Sequence, residues 1–161
     1  DGGFKEWEQN DLPTSQTSLD YSPSDFEFTP RENIFVNKDV VINAIGNPNF
    51  IILNSLTADI HEGQNPRYGR RGKIPSSKNI PFHELLDNKT GKFKPIEELA
   101  NMFEKNKITK DKQILNYCGG GIAASLEAFV LYQLGFEKIV IYDNSLHEWA
   151  AIDQTLPMEN N

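Results

Sequence analysis

Cys118 is the only cysteine in the chain, and its surroundings suit a nucleophile. A short apolar run, Ile114 to Tyr117, leads into it; Gly119, Gly120 and Gly121 follow at once, and helical patterning begins at Ala123 or Ala124. Strand, tight loop and helix in that order place a thiol at a turn. A thiol attacks as its thiolate, and its free pKa leaves it mostly protonated at neutral pH. The unpaired N–H groups at the start of the following helix favour an anion beside them. Glycines carry no side chains to screen those N–H groups and can take the left-handed angles that an anion cradle requires.

The same arrangement admits other readings. Cysteine is among the most buried residue types, so a structural cysteine at a glycine-rich turn is one of them. Cysteine phosphatases use a similar loop, with an arginine fork gripping the phosphate. Here the position of that arginine is held by Ala124, with Ser125 beside it, so the main transition-state clamp of such an enzyme is missing. The position at a strand end favours a functional thiol.

Charge narrows the partners. The net charge of −7 argues against nucleic acid, which needs a basic face. From Gln64 to His83 there is no acid, while Arg67, Arg70, Arg71, Lys73 and Lys78 all occur there, and one basic loop on an acidic protein points to a small anion. His61, His83 and His147 lie far apart without ligand spacing, so no metal site is expected. No apolar run approaches the length that spans a bilayer, and no membrane partner is expected. A single cysteine excludes an internal disulfide and fits a reducing, cytoplasmic compartment.

The elements that must position Cys118 alternate between strand and helix. Phe4 to Asn10 predicts a short helix, and the Ser-, Thr-, Asp- and Pro-rich stretch after it predicts a linker. Ile34 to Val36 predicts a strand, and Asn37 an N-cap for a helix with Val40, Val41, Ala44 and Ile45 on one face. Phe50 to Leu53 is a continuous apolar run suited to a strand buried on both faces. Asn54 to Lys73 is too irregular for an element. Lys78 to Ile80 predicts a brief strand, Phe82 to Leu86 a helical turn, and Lys94 to Lys105 an amphipathic helix opening on Pro95. Ile114 to Tyr117 enters the cysteine loop, Ser125 to Leu134 leaves it, Lys138 to Tyr142 is a last strand and Ser145 to Ile152 a last helix. Phe129, Val130 and Tyr132 are expected in the core, and Trp7 and Trp149 are expected to pack a helix onto the sheet. Alternating elements imply an α/β fold with a parallel sheet, whose ligands sit at the carboxyl ends of the strands.

One internal echo bears on domain organisation: Asp143 to Trp149 reads D-x-x-apolar-basic-E-W, and so does Asp1 to Trp7. The chain is read as opening on the tail of a preceding copy of its own fold.

These residues carry a resemblance. NYCGGGIAASLEAFVLYQLGFEKIVIYDNSLHEW resembles the active-site half of a rhodanese, that is, a thiosulfate or 3-mercaptopyruvate sulfurtransferase domain. YGRRGKIPSSKNIPFHEL resembles the family's R-x-G-H-I-P-G-A-x-N-I-P-F segment, and DGGFKEWEQNDLP the end of another such domain. The resemblance implies a three-layer α/β fold, with a central parallel sheet of about five strands and helices on both faces. It implies residues 1–10 as the remnant of a preceding domain, 11–28 as a linker and 29–161 as the catalytic domain. It implies a cofactor-free reaction in which Cys118 takes a sulfane sulfur from a small anionic donor. The persulfide is held in the loop Cys118, Gly119, Gly120, Gly121, Ile122 and Ala123 and passed to a thiophilic acceptor. Arg70 and Arg71 become candidates for binding the donor's anionic group. The chain also departs from the family. Asn54-Ser55-Leu56 stands where D-x-R is usual, Lys73 where His is, and Ser76-Ser77 where Gly-Ala is. The cysteine loop has no basic residue, closer to mercaptopyruvate enzymes than to those selective for thiosulfate. The alternative is a catalytically weak binding module or persulfide relay.

Overall fold

The computed structural model describes residues 1–29 and 32–160; Pro30, Arg31 and Asn161 lie outside the described residues. In chain order the elements are α1 (Gly3–Gln9), β1 (Phe35–Val36), α2 (Lys38–Ala44), β2 (Phe50–Asn54), α3 (Ala58–His61) and β3 (Lys78–Asn79). Next come a 3₁₀ turn at Phe82–Leu85, α4 (Ile96–Lys105), β4 (Gln113–Tyr117), α5 (Ile122–Gln133), β5 (Ile139–Tyr142) and a π-helical stretch at His147–Ile152. All strand pairs are parallel, in the order β1-β5-β4-β2-β3.

Register and side-chain alternation divide the core into two layers. Ile51 lies beside Ile114 and Ile52 beside Leu115. Successive residues of a strand face opposite sides, so Ile51, Leu53 and Ile114 meet Leu99 and Phe103 of α4. Ile52, Leu115 and Tyr117 meet Val41 of α2 and Trp149 on the other side. This is why the middle strands read as unbroken apolar runs rather than alternating ones.

The strand order creates the site. The chain runs outward from β2 to β3, then returns to lay β4 on the opposite side of β2, with β5 beyond it. Between β2 and β4 the direction of strand addition reverses, and a crevice opens outside their carboxyl ends. Leu56 lies just past β2 there, and Cys118 just past β4.

Several local signals are realised as read. The Asn37 side chain accepts the N–H groups of Asp39 at 3.1 Å and Val40 at 3.3 Å, capping α2. Residues 11–28 are exposed and form neither helix nor strand.

Other signals are realised differently. The polar stretch after β2 contains a helical turn, α3, because Ile60 and His61 pack inward. α5 starts at Ile122, earlier than its pattern suggested. Of the expected core stripe only Val130 is buried; Phe129 and Tyr132 are 49% and 66% exposed. Trp149 is buried edge-on against Tyr142, whereas Trp7 is 43% exposed and donates its indole N–H to the Pro13 carbonyl at 2.9 Å. α1 has no buried residue; it is held by polar contacts, the Glu6–Lys92 ion pair at 2.6 Å and the Asp1 carboxylate accepting the Phe93 N–H at 3.2 Å. No described helix is long and apolar enough to cross a membrane.

One polar pair interrupts the apolar packing. Glu127 of α5 is fully buried; its Oε2 accepts the Ser55 hydroxyl, and its Oε1 has no partner among the described residues. Burial pushes the carboxyl up to about 8, the Ser55 bond opposing this only in part. Unfolding returns it to about 4.5, so the native state must hold a proton that the unfolded chain releases. Below about 4.5 both states are protonated and nothing is lost; between about 4.5 and 8 native stability falls as pH rises. Denaturant unfolding at pH 5 and pH 9 checks this: Glu127→Gln should change little at the lower pH and gain up to about 4 kcal/mol over the parent at the higher.

Candidate active site

β4 carries the chain into the crevice, and Cys118 is its first residue past the strand. Its thiol is 2% exposed at the base of a cavity of about 690 Å³. The backbone around it is clipped to the segment after β5. The Cys118 N–H donates to Ser145 Oγ at 2.9 Å, and that hydroxyl donates in turn to the Tyr142 carbonyl at 2.7 Å. The Cys118 carbonyl accepts the Leu146 N–H at 3.1 Å, and the Gly119 carbonyl accepts the His147 N–H at 3.0 Å. Ser145 Oγ also lies 3.9 Å from Sγ.

With the carbonyls thus occupied, the donors of the loop remain. The N–H groups of Gly119, Gly120 and Gly121 donate to no other group among the described residues. Unpaired N–H groups beside a helix start stabilise an anion placed among them.

The three glycines answer to different constraints. A Cβ at Gly119 would collide with the Tyr68 hydroxyl, so its bareness lets the Tyr68 ring close over the loop. Gly121 takes φ +81°, and a Cβ there would run into Asp143 Oδ1. Gly120 borders open space.

The expected site residues are only partly assembled. Cys118, Gly119, Gly120, Ile122 and Ala123 line the cavity, while Gly121 caps α5 behind them. Arg70 and Arg71 are not among the lining residues. The Arg70 guanidinium donates to the carbonyls of Trp149, Ala150, Asp153 and Leu156, closing the end of the π-helical stretch. Arg71 donates to the carbonyls of Gly63 at 3.0 Å and Gln64 at 2.6 Å. The arginine that lines the cavity is Arg67, whose guanidinium carbon sits 5.8 Å above the centre of the Tyr68 ring. Tyr68, Phe82, Asp143, Asn144 and His147 complete the wall. Asp143 and His147 belong to the tail motif visible in the sequence, but nothing local there shows that the tail folds over the thiol.

The departures at the end of β2 have structural employment. Asn54 is fully buried; its Oδ1 accepts the Leu56 N–H at 3.0 Å and its Nδ2 donates to His61 Nδ1 at 3.1 Å. Burial, and then the nearby Lys73 charge, pull His61 down to about 4, so it is neutral and able to accept that bond. An amide thus forms a neutral pair where an acid would leave a buried charge. Lys73 pairs with Glu159 at 3.3 Å, outside the cavity. Ser77 donates to the Ile74 carbonyl at 2.7 Å and pairs with the Tyr117 hydroxyl at 3.0 Å, closing a buried chain of hydrogen bonds beneath β4. Leu56, by contrast, puts an apolar side chain on the cavity wall.

The pattern that defines the Rhodanese-like domain family matches residues 45–152. The chain is 34% identical over 142 residues to thiosulfate/3-mercaptopyruvate sulfurtransferase 1 of Arabidopsis thaliana, covering 86% of this chain and 37% of that protein. It is 31% identical over 162 residues to the 3-mercaptopyruvate sulfurtransferase of Escherichia coli, covering 98% and 56% respectively. The chain therefore spans 37% and 56% of the lengths of these two relatives. Among solved structures, an anaerobic ergothioneine biosynthesis enzyme from Chlorobium limicola superposes with a TM-score of 0.87 over 99% of this chain and 40% of that one. At 17% identity this is a likeness of fold.

The placement of Arg70 has a measurable consequence. Arg70→Ala strands several carbonyls at the end of the π-helical stretch and should lower stability by about 2–4 kcal/mol in denaturant unfolding, while Arg67→Ala should leave the unfolding midpoint nearly unchanged.

Proposed function

Because the chain belongs to the rhodanese-like domain family, we propose that it is a sulfurtransferase working through a persulfide on Cys118. The observation that carries this reading is the thiol at the carboxyl end of the central strand, beside three glycine N–H groups that donate to no other described group. The Cys118 thiolate attacks the outer sulfur of a donor of the thiosulfate type or the thiol sulfur of one of the 3-mercaptopyruvate type. A bond to sulfur forms at Sγ as the donor's own bond to that sulfur breaks; its electron pair leaves on sulfite, or on the enolate of pyruvate, which takes up at carbon the proton of the donor's thiol. The persulfide carries its negative charge on the outer sulfur, where backbone N–H groups stabilise it without any proton transfer. An acceptor thiolate or cyanide then attacks the outer sulfur and regenerates the Cys118 thiolate. The names of the relatives, sulfurtransferases for thiosulfate and 3-mercaptopyruvate, support the same reaction class.

Residues beyond the nucleophile take two further roles. Arg67, on the cavity wall and engaged in no ion pair among the described residues, is the proposed contact for the donor's anionic group. Residues 1–10 are proposed to be the tail of a preceding copy of the domain, in keeping with the Asp1–Trp7 echo and with relatives about twice as long as the chain. A second reading, a catalytically weak binding module, rests on Leu56 and Asn54, which offer the cavity neither the arginine nor the acid usual at that strand end.

Intact-mass measurement after incubation with donor separates these readings. The parent should gain one sulfur atom and lose it to cyanide as thiocyanate, and Cys118→Ala should gain none. Uptake from none of thiosulfate, 3-mercaptopyruvate and an aryl thiosulfonate, or equal thiocyanate release from Cys118→Ala, would overturn the proposal.

A further inference from the structure

The residues that share the cavity with Cys118 are largely apolar. Cys118 lines it together with Gly119 and Gly120, and Leu56, Phe82, Ile122 and Leu126 with the Tyr68 ring supply most of the remaining surface. Among lining residues the only side chains of fixed charge are Arg67 and Asp143, one of each sign. A compact dianion entering such a space sheds its hydration and meets no net positive charge in return. A monoanion can pair with Arg67 and place its remaining surface against apolar side chains.

Size and exposure point the same way. At about 690 Å³ the cavity falls in the range that encloses drug-sized ligands rather than four- or five-atom ions. Ile122, the first residue of α5 and a neighbour of the glycine loop, is 86% exposed on this wall. An apolar side chain left open beside a buried thiol is ready to be covered by whatever delivers or receives the sulfur. Leu56, buried and apolar, is a further lining residue.

We infer that the site is built for a sulfur compound with one anionic group on an apolar body of ring size, and discriminates against the compact thiosulfate dianion. This rests on the sulfurtransferase reading of Cys118 and specifies its substrate class. Aryl thiosulfonates have this chemistry and serve as probes. With benzenethiosulfonate, the thiolate attacks the terminal sulfur and a new S–S bond forms at Sγ. The bond between the two donor sulfurs breaks, and its electron pair leaves on benzenesulfinate. Two monoanions give two monoanions, and no oxidant, reductant or proton is needed.

The test has two arms, because pocket selectivity and sulfur transfer can fail separately. In the first, thiocyanate formation with cyanide is measured for benzenethiosulfonate, methanethiosulfonate and thiosulfate. kcat/KM should fall in that order, with at least about a tenfold step from the aryl to the methyl compound. Leu56→Arg should narrow the gap between benzenethiosulfonate and thiosulfate by about tenfold or more, and Arg67→Ala should raise KM for both thiosulfonates. In the second, calorimetry on Cys118→Ala measures binding of the leaving groups benzenesulfinate, methanesulfinate and sulfite, which requires no turnover. Tighter binding of benzenesulfinate than of methanesulfinate or sulfite upholds the inference even if Cys118 transfers no sulfur, an outcome that would overturn the sulfurtransferase reading alone. Equal binding of the two sulfinates, or thiosulfate used as well as the aryl donor, overturns the inference.

Discussion

The structure depends on β4 being held between β2 and β5. Five register pairs with β2 and three with β5 fix the strand on both edges, so the point where it ends is fixed as well. A thiol one residue beyond that end inherits the rigidity of the sheet. The segment after β5 adds a second constraint of the same kind. The Ser145 hydroxyl and the Leu146 and His147 N–H groups take up the N–H of Cys118 and the carbonyls of Cys118 and Gly119, which leaves the glycine N–H groups as the loop's unpaired donors. The loop is positioned through the Cys118 N–H and the carbonyls of Cys118 and Gly119, while the glycine N–H groups donate to no other described group.

Polar burial around this centre obeys a consistent rule. Asn54 and His61 pair as neutral groups, and Tyr117 and Ser77 close a hydroxyl chain, so the packing beneath the thiol carries hydrogen bonds but no net charge. Glu127 is the exception, a buried carboxyl with a single partner, kept protonated by its surroundings. Arg67 and Asp143, one of each sign, are among the residues that line the cavity. Most of the other lining residues are apolar.

Much of this was legible in the chain because it rests on local physics. Alternating strand and helix patterns, an asparagine cap before α2 and a cysteine at a strand end are all decided within a few residues. The glycines were legible as a class, although the reason for each was not. Gly121 needs a positive φ, a local property, whereas Gly119 must be bare because Tyr68, far off in sequence, lies against it. The exposure of Phe129 and Tyr132 was hidden for a related reason: an apolar helix surface reveals its period, but only its neighbours determine how much of it they cover.

The sequence by itself determined the fold class, the place of the single cysteine at a strand end and the uncharged character of the loop after it, since each depends on periodicity or on residue types at adjacent positions. Only the tertiary structure decided which arginine serves the cavity. Arg67, Arg70 and Arg71 sit within one short basic loop, and composition cannot separate them. The π-helical stretch does, because its carbonyls lie where Arg70 can reach them, while Gly63 and Gln64 take Arg71 and leave Arg67 over Tyr68 among the lining residues. The same holds for Leu56 and Ile122, ordinary apolar residues far apart in the chain. Strand order brings them to the cavity that Cys118 shares, and pairing across a sheet is a long-range choice that no local pattern records.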